Sequence, residues 1–209
     1  MIESATGIIL RTRPLTETSL IVNWLTAEHG RISTVAKGAR KPKSPFAGRL
    51  DLFFEASFTY RRSRRSELHT LCELELQETH AALRNDLGWL QQAAYATRLS
   101  EQTTERETPV PGVQALLRGL LHHLPEQPPQ PRTVYAFELK LLVELGLQPN
   151  LEESTLSAPT QQLAVALTES DWHALPALQA TLAQVKELRQ FLHGFLIYHL
   201  GRIPKHRPV

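Results

Sequence analysis

The chain has a single cysteine, Cys72, among 209 residues. One thiol closes no intrachain disulfide, so stability must come from buried cores, and a reducing compartment is expected. No apolar run approaches the ~20 residues that a membrane-spanning helix requires. The opening MIESATGIILRTR places an acid before a very short apolar run and lacks the small-residue cleavage pattern of a secretory signal. The expected location is therefore the cytoplasm. Catalytic features are equally sparse. Gly38-Ala-Arg fits neither the Walker nor the dinucleotide pattern, and no other glycine-rich phosphate loop is present. The nine histidines are scattered without the spacing of a zinc hydrolase. Their one doublet, His122-His123, falls at a helix C-terminus, where imidazolium suits the dipole. Around the most basic stretch the only acids are Asp51 and Glu55, too few for the carboxylate cluster that a magnesium-dependent nuclease needs. No cofactor and no metal are expected, and the chain reads as a binding protein rather than an enzyme.

What the chain does have is segregated charge. Between residues 31 and 65, ten Lys or Arg face two acids, a net +8, whereas the whole chain is +2, so the remainder is net −6. Five of those cations (Lys37, Arg40, Lys41, Lys43 and Arg49) lie in AKGARKPKSPFAGR, which contains no acid, two glycines and two prolines. A cationic loop that cannot become helix, carried between strands, is a surface suited to phosphates. Four more arginines, Arg61, Arg62, Arg64 and Arg65, occupy what reads as a hairpin tip. Hairpin turns usually use Asn-Gly or Gly pairs, and four like charges on one turn repel unless an anion sits among them.

Periodicity divides the chain in two. Up to about residue 80 it is strand-like: Ile8 to Leu10, Leu20 to Leu25, Arg31 to Ala36, Phe54 to Tyr60, and Leu68 to Leu76. Five strands in about 80 residues predict a small closed barrel, best matched by the OB-fold, with an SH3-like barrel as competitor. Alternation in the last strand puts Cys72 on the buried side with Leu68, Leu74 and Leu76. Beyond Thr79 the period becomes helical. Helices are expected from Asn85 or Asp86 to Glu101, from Gly112 to His123, from Arg132 to Leu145, and from Thr181 to His199, with a short one opening near Ser170. Residues 151–160 read as irregular. The predicted organisation is α+β: a barrel domain over residues 1–80 and a helical domain over 81–209.

Single-strand binding combines cations with aromatic faces. Trp24, Phe53, Phe54, Phe58 and Tyr60 fall mostly on strand cores. Phe46, between Pro45 and Ala47 in the basic loop, has no strand core to oblige it and is the aromatic expected to stack on a base.

Several segments resemble the bacterial recombination-mediator family RecO. They are Glu17-Thr-Ser-Leu20, Thr26 followed by Glu28-His-Gly30, and Val35-Ala-Lys-Gly-Ala-Arg40 with its basic extension. Further on come Phe137-Glu-Leu-Lys-Leu-Leu142 with Leu145-Gly146 and Pro149-Asn150, and finally Tyr198-His-Leu-Gly201. The resemblance implies an OB-fold followed by helices, and a non-enzymatic, nucleoid-associated role in recombinational repair. It implies binding of single- and double-stranded DNA, annealing of complementary strands, and loading of RecA, together with RecR, on DNA coated by single-strand-binding protein (SSB). Two departures stand out. Many members carry zinc-binding cysteine pairs where this chain has Ser154 and Ser157, so the zinc subdomain is expected to be lost near 151–160. Members also often carry Arg just before Phe-Glu-Leu, in a region associated with the acidic SSB tail. Here Tyr135-Ala136 precede it, and Arg132 with Phe137 and Leu141 is the candidate tail site. Two alternatives remain open from charge alone: an RNA-binding OB module, and a scaffold whose basic loop docks acidic proteins.

Overall fold

The computed structural model describes all residues, 1–209, as two compact units. The first contains Met1–Ala81 together with Thr104–Ala115, and the second contains Ala82–Thr103 and Leu116–Val209.

The first unit is a closed five-stranded barrel of order β1-β2-β3-β5-β4. Its strands are β1 (Ile2–Pro14), β2 (Leu20–Thr26), β3 (Gly30–Ala36), β4 (Glu55–Arg61) and β5 (Leu68–Glu78). Closure depends on the length of β1. Its first half pairs with β4 and its second half with β2, and a bulge between Ile9 and Arg11 turns the strand from one neighbour to the other. Gly7 pairs with both neighbours, facing Thr26 and Ala56. A Cβ there would lie 2.9 Å from the Leu25 carbonyl oxygen, so only glycine lets the strands approach this closely. β3 and β5 run parallel, Ser33 opposite Leu68, while every other pair is antiparallel. A closed five-stranded barrel is the OB-type architecture that the strand count predicts.

The barrel interior holds Ile9, Val22, Trp24, Ile32, Ala56, Phe58, Tyr60 and Leu71. Trp24 stacks on Phe58 at 4.1 Å between ring centroids, and its buried Nε1 donates to Thr34 Oγ1 at 2.9 Å. Cys72 departs from the expected alternation. A bulge opposite Thr59/Tyr60 pairs Tyr60 with Leu71 and Thr59 with Glu73, leaving Cys72 as the extra residue. The side-chain phase flips there. His69 and Leu71 are buried before it, Leu74 and Leu76 pack on the core after it, and Cys72 is half-buried with its Sγ donating to the Thr70 carbonyl.

The helices are α1 (Leu87–Thr103), α2 (Pro111–His123), α3 (Pro131–Glu144), α4 (Ala158–Glu169) and α5 (Leu182–Leu200). Asp86 caps α1, its Oδ1 accepting from the Gly88 and Trp89 amides at 2.7 and 3.2 Å. Thr181 and Gln184 form a reciprocal capping box on α5. α3 is the central helix, buried without a break from Thr133 to Leu139, and its core is shared with residues of α4 and α5. The sequence reading misses α4. Its start falls inside the stretch expected to be irregular, and Pro159 stands in its first turn, where the missing N–H costs nothing and the fixed φ suits a helix. Residues 151–157 are irregular as expected. None of these helices is long and apolar enough to cross a membrane.

A buried ion pair lies inside the helical unit. Glu138 is fully buried, and Arg207, near the end of the chain, closes on it with two nitrogens, one at 2.7 Å. The Tyr95 hydroxyl donates to the same carboxylate at 2.5 Å. The Arg207 guanidinium also lies 5.3 Å from the Tyr135 ring centre and donates to the Arg189 carbonyl at 3.0 Å. Burial drives the Glu138 carboxyl above its ordinary range, and Arg207 opposes that shift.

Candidate nucleic-acid interface

The long connector between β3 and β4 carries the first group of cations. It is a succession of tight turns, with amide-to-carbonyl bonds Lys41 to Gly38, Ser44 to Lys41, Ala47 to Ser44 and Arg49 to Phe46. Gly38 and Gly48 supply the left-handed φ values, +68° and +71°, that such a path needs. Two residues anchor it. Ala39 and Phe46 drop into the barrel core at 7% exposure each, and Leu50 packs against that core. The cations between and beside the anchors face out: Lys37, Arg40, Lys41, Lys43 and Arg49 are all exposed, and none is paired with a carboxylate. Arg40 also ties the connector to the β1–β2 loop. Its amide donates to the Thr18 carbonyl at 2.9 Å and its Nη1 to the Thr16 carbonyl at 3.3 Å.

Phe46 therefore corrects the sequence reading. A connector this polar leaves the adjacent end of the barrel to be closed, and the only bulky apolar group it offers between Lys37 and Arg49 is that ring. The ring is a plug and presents no face for a base to stack on. The same holds for every other aromatic of this unit. Trp24, Phe53, Phe54, Phe58 and Tyr60 are at most 9% exposed.

The second group sits on the β4–β5 hairpin, where Arg61, Arg62, Arg64 and Arg65 are exposed. Arg62 is engaged within the chain. It pairs with Glu3 at 3.2 Å and more closely with Glu107. The Tyr60 hydroxyl donates to the same Glu3 oxygen at 2.7 Å, and this bond, aided by Arg62, holds the Glu3 carboxyl below its ordinary range. Burial and Glu3 push the Tyr60 phenol up. Arg61, Arg64 and Arg65 have no acidic partner. The sequence reading missed Arg106, which arrives from the Thr104–Ala115 segment to pair with Glu67 of the hairpin.

Register separates the two groups. The connector leaves from the barrel end where Leu20 faces Ala36. The hairpin leaves from the other end, where Ile2 faces Arg61. Seven residues of β3 span on the order of 20 Å at the rise of a strand. Charge that is contiguous in sequence is thus divided between two ends of one barrel. A third face is acidic, with Glu28, Glu73 and Glu75 lining a groove together with Ser4, Thr6 and Ser57.

In the helical unit the candidate tail site does not form. Phe137 and Leu141 are fully buried, and the Arg132 Nη1 donates to the Leu178 carbonyl at 2.6 Å. Both apolar side chains face the core, so they form no accessible pocket beside Arg132. The serines at the expected zinc-ligand positions are occupied by other bonds. Ser154 Oγ donates to the Leu151 carbonyl, and Ser157 Oγ donates to Glu187 Oε2. Neutral hydroxyls so engaged do not fit a zinc thiolate site.

A closed barrel of this strand order, with cationic loops at both ends and a helical unit after it, defines an OB-fold protein with a helical C-terminal domain. The family described as Recombination protein O N terminal matches residues 1–80, and Recombination protein O C terminal matches residues 84–166. DNA repair protein RecO of Anaeromyxobacter sp. (strain K) is 30% identical over 231 aligned positions, covering 94% of this chain and 91% of that protein. The Bacillus pumilus protein of the same name is 35% identical, covering 73% of this chain and 59% of its own length. That of Bacillus subtilis (strain 168) is 33% identical over 72% of this chain. The chain belongs to the RecO family, and its role lies in DNA repair and recombination.

Proposed function

We propose that the barrel binds DNA through its phosphates and that the protein is a non-enzymatic recombination mediator. The observation that carries this reading is the connector: five exposed cations with no acid among them, on a path anchored by Ala39 and Phe46. Lys37, Arg40, Lys41, Lys43 and Arg49 form the primary contact, and Arg61, Arg62, Arg64 and Arg65 form a second at the other barrel end. Because no aromatic of this unit is exposed, affinity rests on charge and carries little base information. An RNA module reading bases by stacking fits this surface less well.

Annealing follows from the same chemistry. Two strands repel until cations lower their mutual potential, and a surface that holds backbones without gripping bases lets them search for register. Family membership supports the wider role: action with RecR on DNA coated by SSB, and loading of RecA. The protein's contacts to RecR and to the SSB tail lie elsewhere than the buried Phe137 and Leu141.

The test is annealing of complementary labelled oligonucleotides by the wild type and by a variant with Arg40, Lys41 and Lys43 changed to Glu. The wild type accelerates annealing and the variant does not. Equal acceleration by both would remove the connector from the mechanism. Acceleration by neither, with retained binding of acidic peptides, would favour a docking scaffold.

A further inference from the structure

The hairpin cations do not stand alone. Arg62, Ser63, Arg64, Arg65, Ser66 and Glu67 line an open pocket of about 430 Å³ whose remaining wall is Arg106 and Glu107. That wall is held to the barrel by backbone bonds. The Arg31 amide donates to the Glu105 carbonyl at 3.5 Å, and the Glu107 amide donates to the Arg31 carbonyl at 3.1 Å. Arg31 Nε adds a bond to the Thr104 carbonyl at 2.8 Å. Thr108 then passes so close to Gly30 that a Cβ on that glycine would fall 1.9 Å from the Thr108 carbonyl oxygen. The position of Arg106 beside the hairpin is thus built into the barrel.

The charges in this pocket are unequal. Four arginines face two carboxylates, and the carboxylates do not neutralise all of them. Glu67 takes Arg106, and Glu107 takes Arg62. Arg64 and Arg65 have no acidic partner. Glu107 reaches its place from a left-handed backbone, φ +52°, a conformation that a non-glycine residue holds only where its surroundings impose it. One of its carboxylate oxygens meets Arg62. The other lies 3.2 Å from Nε2 of His69, a side chain only 1% exposed. An anionic group with two oxygens, directed at a guanidinium and an imidazole inside an arginine-rich pocket, occupies the geometry that a phosphate would take.

We propose that this pocket is a phosphodiester subsite in which Arg106 is a contact and Glu107 is the resident counter-ion that a backbone phosphate displaces. The inference rests on the reading of the hairpin as a DNA-binding surface and adds two residues to it, one attractive and one competing. Displacement exchanges one ion pair of Arg62 for another and places the phosphate within reach of Arg64, Arg65 and Arg106. The Glu107 carboxylate keeps the arginine cluster from repelling itself while DNA is absent. It also lowers affinity, so that strands held here are released readily.

The test is fluorescence anisotropy of a labelled single-stranded oligonucleotide with the wild type, Arg106→Ala and Glu107→Gln over a salt series, with thermal melting of each protein. Glu107→Gln is expected to tighten binding several-fold. Arg106→Ala is expected to weaken it and to flatten the log–log salt slope by about 0.7, the value of one phosphate contact on single strands. Wild-type binding with either variant unchanged in affinity and slope overturns the subsite. No binding by the wild type overturns the DNA-binding reading itself, and the subsite with it. The Arg106 side chain is 55% exposed, so Arg106→Ala carries the test if Glu107→Gln melts early.

Discussion

Replacing Arg207 with Met should destabilise the helical unit by several kcal/mol, and the loss should depend on pH. Glu138 is fully buried on the central helix, and Arg207 pairs with it directly through two nitrogens. Breaking such a pair from one side costs about 3–5 kcal/mol, because the remaining charge is left in a low dielectric. The carboxyl has one escape, which is to bind a proton. Relative to an unfolded pKa of about 4.3, protonation at pH 7.5 costs about 1.36 kcal/mol for each of 3.2 units, or about 4.4 kcal/mol, and this caps the loss. Burial already raises the folded pKa of Glu138, and removing Arg207 raises it further. A carboxyl raised on folding loses stability as pH rises above its unfolded pKa. The variant should therefore recover as pH falls, with its deficit shrinking by up to about 1.4 kcal/mol per unit between pH 7.5 and 5.5. Urea unfolding at three pH values measures this. The double variant Glu138→Gln with Arg207→Met should lose the pH dependence. A deficit below about 1 kcal/mol, or one that does not change with pH, would refute the argument that a buried carboxylate is what Arg207 compensates.

Two further outcomes separate packing from contact in the barrel unit. Phe46→Leu should keep DNA affinity near wild type at a stability cost of about 1 kcal/mol, because the plug remains apolar and nearly fills its site. If affinity instead fell by the ~1–3 kcal/mol of a lost base stack, the ring would be a DNA contact after all. Gly30→Ala should destabilise the barrel unit by more than about 1 kcal/mol, since its φ of +60° and its approach to Thr108 both exclude a side chain. A melting temperature equal to wild type would show that the Thr104–Ala115 segment is not fixed to β3 as described.

Strand positions were legible because each strand is half-buried and its alternation is written in the residues; β2 to β5 lie within two residues of the periodic runs. The phase of β5 was not legible. A bulge adds one residue at Cys72, and nothing local marks it, because the extra residue is defined by its partners Thr59 and Tyr60 across the sheet. Phe46 failed for a related reason. The connector has no period, so its two anchors cannot be told from its exposed residues without the barrel beneath them. Nothing local marks Glu138 as buried and paired, because its partner lies 69 residues further on. Likewise nothing local marks Arg106 and Glu107, since the hairpin they meet is about 40 residues earlier. Charge composition, by contrast, survives without geometry. The basic stretch was visible at once, although its division between two barrel ends was not.

The connector is proposed to hold DNA by its phosphates and not by its bases. Anisotropy of a labelled single-stranded oligonucleotide across a salt series, with the wild type and the Arg40, Lys41, Lys43 to Glu variant, tests it most directly. About five contacts predict a wild-type slope near −3.5 on log–log axes, similar affinity for different homopolymers, and loss of binding in the variant. A shallow slope with strong base preference, or a variant that binds as the wild type does, would contradict the account.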